Sequence, residues 1–208
     1  MNRRTKLAGY ELFLPALTAI VREKEKRDDQ LSDAEFKALI AVIFRDTLIA
    51  FTKETHLYRI DIPIDLYAEV DRYELFAPEG FFIDASMGLK TGKAHIPSSY
   101  VLDEHELVLG CCPKTDIDKA LYVEVALVPD VTNMNCLFEA SFLSRYYDAI
   151  LAGMEMRLFG MVRRTWYDVQ MFRLKEHEYR KLRNRAARGG TDASRPIGIK
   201  YKRLTDAM

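Results

Sequence analysis

Residues able to do chemistry are sparse in this chain and do not converge. Its four histidines, His56, His95, His105 and His177, show no metal-ligand spacing such as a helical i, i+4 pair. Each fits a surface or boundary position. Asp61, Asp65 and Glu69 form the one carboxylate set that could be read as a magnesium site. Asp61 and Asp65 share the polar face of an alternating segment, however, where exposed carboxylates are the ordinary expectation. Asp116 and Asp118 stand in a turn, which aspartate favours through bonds to its own backbone. Cys111 and Cys112 have no histidine or basic neighbour in sequence to stabilise a thiolate, so they are expected to be packing residues. No Gly-rich phosphate loop, Gly-x-Ser-x-Gly or kinase-type motif is present. The expectation is a chain without catalytic residues, metal or cofactor.

The elements that would position any site follow from periodicity. A first helix over about 8–27 carries the stripe Leu14, Leu17 and Val21. Ser32 and Glu35 make a capping box that opens a second helix over 32–55, with Phe36, Leu39, Ile40, Ile43 and Phe51 apolar. The period then changes to two. Tyr58, Ile60, Ile62 and Ile64 alternate with polar residues in a half-buried strand that Pro63 makes an edge strand or an irregular one. Short strands are expected over 72–76, 81–85 and 107–111, a polar loop over 88–92, and a last strand in which Leu121, Val123, Val125 and Leu127 share one face. The β region spans about 57–128.

A third helix over about 135–160 carries Phe138, Phe142, Tyr146, Ile150, Met154 and Leu158 at steps of four, and Ala149, Ala152 and Gly153 give it small faces for close packing. A fourth, over about 165–188, begins at Thr165-Trp166-Tyr167-Asp168 with Val169, Phe172, Tyr179 and Leu182 facing inward, turns basic, and stops at Gly189-Gly190. The reading is an α+β fold: a four-helix bundle (two helices, a β-sheet insertion, two helices) in one domain over 1–188, with an extended basic C-terminal arm over 189–208.

Charge and composition narrow the class. The chain has 208 residues, 31 Lys+Arg and 31 Asp+Glu, enough length for a substantial core. From residue 173 onward there are 11 basic and 4 acidic residues, net +7, leaving net −7 for the rest. Opposite signs suit head-to-tail self-association or docking on an acidic partner; an ordinary solvated helix face explains the charge as well. No apolar run is long enough to span a bilayer, and no secretory signal is expected at the basic N-terminus. Three cysteines at irregular spacing argue against a disulfide framework and fit a reducing compartment. In the tail, Ile197, Ile199 and Tyr201 alternate with Gly198, Lys200 and Lys202, as in a short strand that pairs with another subunit's edge; a frayed terminus is the competing reading.

Several stretches give the chain a family likeness over about residues 12–188: Ala50-Phe51-Thr52-Lys53-Glu54-Thr55 leading into the Tyr58–Ile64 strand; Arg72-Tyr73-Glu74-Leu75 followed by Pro78-Glu79-Gly80; Ala126-Leu127-Val128-Pro129 before the helix with Asp148-Ala149-Ile150-Leu151-Ala152-Gly153-Met154; and Trp166-Tyr167-Asp168 ahead of Tyr179-Arg180 and Arg185-Ala186-Ala187-Arg188. In this it resembles the head-to-tail adaptor proteins of short-tailed bacteriophages. Asp130-Val131-Thr132-Asn133 departs from the expected proline-led helix entry, and the tail lies outside the likeness.

The resemblance implies a non-enzymatic virion protein at the head–tail junction, made in the host cytoplasm, with no membrane partner. It implies a ring, usually of twelve copies, between the portal protein and the tail nozzle, with viral DNA passing through the lumen. It gives Arg183, Arg185, Arg188, Arg195, Lys200, Tyr201, Lys202 and Arg203 the role of portal or subunit interface. The alternative is a nucleic-acid-binding module using the basic C-terminal helix. Only Tyr179 stands as an aromatic among its cations, fewer than stacking platforms use.

Overall fold

The computed structural model describes residues 9–24, 31–130 and 140–192. A single 3-10 turn, Gly9–Leu12, leads into α1 (Leu14–Lys24), and α2 follows over Asp33–Thr55. The capping box forms as its spacing predicts. The Glu35 amide donates to Ser32 Oγ at 3.3 Å and the Ser32 amide donates to Glu35 Oε2 at 2.9 Å, satisfying two amides that the helix leaves free. The Ser32 hydroxyl, donating to Glu35 Oε2 at 2.7 Å, and after it the Ser32 amide hold the Glu35 carboxyl below its ordinary pKa. At the other end His56 adopts the left-handed conformation, φ 50°, and its amide donates to the Thr52 carbonyl at 2.8 Å. That turn redirects the chain into the β region. Three buried threonines of α2, Thr47, Thr52 and Thr55, donate to carbonyls four residues back at 2.7, 2.8 and 2.6 Å. A helix face can therefore bury hydroxyls without orphaning them.

The β region is two three-stranded antiparallel sheets. The larger has the order β1 (Arg59–Leu66), β6 (Ile117–Pro129), β3 (Phe81–Thr91); the smaller has β2 (Arg72–Glu74), β5 (Glu106–Leu109), β4 (Tyr100–Leu102). β1 is an edge strand, as Pro63 requires. The inward faces of both sheets share one apolar core that includes Ile64, Tyr73, Leu75, Leu107, Leu121 and Val123. α2 packs against β6, and Ala126 and Val128 on the second face of that strand are buried as well.

The stretch expected as a loop over 88–92 instead extends β3 to Thr91. β6 is 13 residues long and offers a ladder partner that far, and two register shifts absorb the irregularity. Gly92 then crosses so close to β6 that a Cβ would sit 2.4 Å from the Lys119 carbonyl oxygen. The strand over 100–102 has no counterpart in the sequence pattern: three residues carry too little alternation to register.

The helical core joins Phe13, Leu17 and Val21 to Ile40, Ile43 and Leu48 of α2, and to Ile150, Met154 and Leu158 of α4 (Tyr147–Phe159). The helix expected over 135–160 is divided. Its described part is α3 (Ala140–Arg145) and α4, separated at Tyr146, while 131–139, including Phe138, lie outside the described residues. At the break the Tyr146 and Phe142 rings pack 5.0 Å apart and each meets Phe51, so aromatic packing takes precedence over a straight axis.

The last helix, α5 (Val169–Asp192), starts four residues later than its sequence pattern suggests. Asp168 caps it, with Oδ1 accepting from the amides of Gln170 and Met171 at 3.1 and 3.0 Å. Trp166 lies fully buried in the preceding turn, with the Arg164 guanidinium 5.6 Å from its ring. The cap at Asp168 makes Val169 the first helical residue and leaves Trp166 in the connection. Val169, expected inside, is exposed for the same reason of phase. Gly189 and Gly190 do not stop α5, which runs through them to Asp192; a Cβ at Gly189 would meet nothing within 4 Å, so no close approach requires glycine there.

Candidate functional site

α5 carries seven Lys and Arg residues, and its packing divides them. The Lys175 ammonium stands 2.8 Å from buried Glu155 and 2.9 Å from Glu178. Burial alone would lower its pKa, but bonding to the two carboxylates outweighs that and holds it above the ordinary lysine value. Arg180 pairs with Glu176 at 2.7 Å. Arg183 donates to Glu54 of α2, with its guanidinium 5.9 Å from the Tyr179 ring. Of the residues assigned to an interface, Arg183 therefore already fastens α5 to α2. Arg185 and Arg188 are exposed beside Lys181, Asn184 and Gly189, around a shallow depression of about 540 Å³. Arg195, Lys200, Tyr201, Lys202 and Arg203 lie outside the described residues.

The basic side chains left over form a line. Arg173, His177, Lys181 and Arg185 recur every four residues, are all exposed, and make no hydrogen bond or ion pair among the described residues. The line from Arg173 to Arg185 runs about 18 Å at 1.5 Å per residue. Its spacing is legible in the sequence; which cations stay unpaired is decided by where Glu54 and Glu155 fall in space.

The opposite charge is concentrated in the β region. Residues 57–130 hold 6 Lys+Arg and 14 Asp+Glu, net −8. Several of these carboxylates serve the fold. Lys90 Nζ bonds Asp61 at 2.7 Å and Glu124 at 3.2 Å, and the Asp61 bond is the main cause that raises the Lys90 pKa. Asp65 accepts from the Lys119 amide at 2.6 Å and Asp116 from the Ala68 amide at 2.7 Å. Asp84 meets His56 Nε2 at 2.9 Å. At one end of the small sheet, by contrast, Glu74 is directly opposite Glu106, with Asp103 and Glu104 in the adjoining turn. Arg72, 3.6 Å from Glu106, is the cation in reach. Like charges directly opposite in a sheet destabilise it.

Other chemistry is limited. Cys111 and Cys112 are exposed after β5, which ends at Leu109, and are not packed as expected. Among the described residues no three His, Cys, Asp or Glu side chains stand together as metal ligands. A groove of about 270 Å³ between Leu57–Ile60 and α3 is lined by Arg59, Ser141, Phe142 and Arg145, with Arg59 Nε held by the His56 carbonyl at 2.7 Å. Among the described residues no helix is long and apolar enough to cross a membrane. No model of a known protein family matches the chain, and no curated protein matches it.

Proposed function

We propose that the chain is a non-enzymatic ring subunit at the head–tail junction of a short-tailed bacteriophage, placed between the portal and the tail nozzle, with DNA passing through its lumen. The observation that carries the reading is the arrangement itself: two helices, an acidic β module, then helices ending in a basic α5 on which Arg173, His177, Lys181 and Arg185 have no bonded partner among the described residues. In this reading α1, α2, α4 and α5 act as the four-helix wall of the ring and hold the β module out from it. Arg185 and Arg188, with Arg195, Lys200, Tyr201, Lys202 and Arg203 beyond α5, meet acidic portal surface. Arg183 belongs to the wall, through Glu54.

The test is electron microscopy of the protein mixed with portal. Rings seated on the portal are expected; persistent monomers with no binding would sink the reading. Removing residues 193–208 leaves α5 whole and is expected to abolish docking, and full docking by that truncation would refute the role given to the arm.

A further inference from the structure

Two surfaces in this chain are unsatisfied in complementary ways. On α5, Arg173, His177, Lys181 and Arg185 form a basic line about 18 Å long with no carboxylate bonded to it among the described residues. At the end of the small sheet, Glu74 faces Glu106 across the ladder, and the side chains of Glu74 and Glu104 make no bond or ion pair among the described residues. Each surface also carries a large exposed apolar side chain. Phe76 follows Glu74 by two residues and is 72% exposed; Leu174 lies three residues before His177 on α5 and is 56% exposed. A charged rim around an aromatic anchor is the usual composition of a protein contact.

We propose that these two surfaces are each other's partners between copies: the Arg173–Arg185 line of one subunit docks on the Glu74, Glu104 and Glu106 end of the small sheet of the next, with Phe76 seated beside Leu174. The inference rests on the ring reading above and gives its subunits a contact. Two different patches meet, so the contact is head-to-tail. Such an interface closes into a ring when its rotation permits, whereas a patch that recognises itself gives only a dimer. The like-charge opposition of Glu74 and Glu106, a cost in the isolated chain, is relieved when the cations arrive. Duplex nucleic acid is the other polyanion that would suit the line. The observations favour a second copy because the matching anionic surface is in the same chain, and because α5 offers no exposed aromatic on that line for bases.

The experiment uses two full-length charge-reversal variants, R173E/K181E/R185E and E74K/E104K, at about 0.01 M salt, where the screening length is ~30 Å. Circular dichroism and emission of the buried Trp166 verify their folding. By sedimentation velocity the wild type is expected to self-associate, and each variant's association constant to fall at least about 100-fold from like-charge contact. An equimolar mixture of the two variants is expected to associate again, since each supplies the face the other lacks. A wild type that stays monomeric, variants that associate as well as it does, or a mixture that does not recover would each overturn the proposal. So would loss of duplex DNA binding in the α5 variant with self-association unchanged, which would assign the line to nucleic acid. The ring reading fails separately: wild type mixed with portal would show no rings by microscopy, whatever the sedimentation result.

Discussion

Gly153 of α4 lies against Thr47 of α2 and Tyr179 of α5, and Gly153→Ala tests whether that approach holds the helices together. A Cβ at this position would lie 2.7 Å from the Thr47 methyl and 2.9 and 3.0 Å from two Tyr179 ring carbons. Neither neighbour yields easily. The Thr47 rotamer is fixed by its hydroxyl, which donates to the Ile43 carbonyl at 2.7 Å, and the Tyr179 ring is buried against Phe51, Ala149 and Ala152. In an unconstrained helix, alanine for glycine would stabilise by about 1 kcal/mol. Forcing a methyl into a packed site costs about 1–3 kcal/mol, and stiff neighbours on two sides place this case at the upper end. The net expectation is a loss of about 2 kcal/mol. The chain has one tryptophan, Trp166, fully buried, so its emission reports unfolding in urea without a label. With a slope of roughly 2 kcal/mol per molar, the midpoint falls by about 1 M. A midpoint that stays or rises would refute the close-approach argument. Gly153→Ala combined with Tyr179→Leu supplies the internal check: removing the ring relieves the clash on the α5 side and leaves the Thr47 methyl in place, so the pair is expected to cost about 1 kcal/mol less than the sum of the single changes.

The same packing governs other substitutions. The Tyr179 hydroxyl is buried with no hydrogen-bond partner among the described residues, so Tyr179→Phe is expected to be neutral or to stabilise by about 1 kcal/mol in the same urea assay. Burial pushes the Tyr179 pKa up to about 12 from an ordinary 10.0. The stability this contributes is complete below about pH 10 and is lost as the pH rises through about 12, a decline that Tyr179→Phe should lack. Lys175→Met leaves buried Glu155 without its 2.8 Å partner and is expected to cost about 3 kcal/mol; adding Glu155→Gln should recover much of it. Lys175 titrates above its ordinary 10.5, so the pair's contribution is intact below that pH and fades only in stronger alkali; thermal melts of wild type and variant should converge there. Ser32→Ala removes one half of the capping box and should cost about 1 kcal/mol, read as a fall in Tm of roughly 2–4 °C for a chain of this size.

Local rules settle part of this protein from its sequence alone. Ser32 and Glu35 specify the start of α2 because capping is decided within four residues. Alternation through Ile60, Ile62 and Ile64, with Pro63 among them, specifies a strand that is at an edge or irregular, and the small residues at 149, 152 and 153 specify a close helix contact. The division of basic and acidic charge is a matter of counting along the chain. Features that depend on a distant partner belong to the tertiary structure. Trp166 sits in a turn and not at a helix start, because the core takes its ring and Asp168 caps α5. β3 extends through Gly88 because β6 is long enough to pair with it. Which cations on α5 remain free depends on Glu54 and Glu155, 129 and 20 residues from Arg183 and Lys175 in sequence. The opposition of Glu74 and Glu106 is a matter of register: a shift of one residue would send one of them to the other face of the sheet, and no local pattern fixes that register.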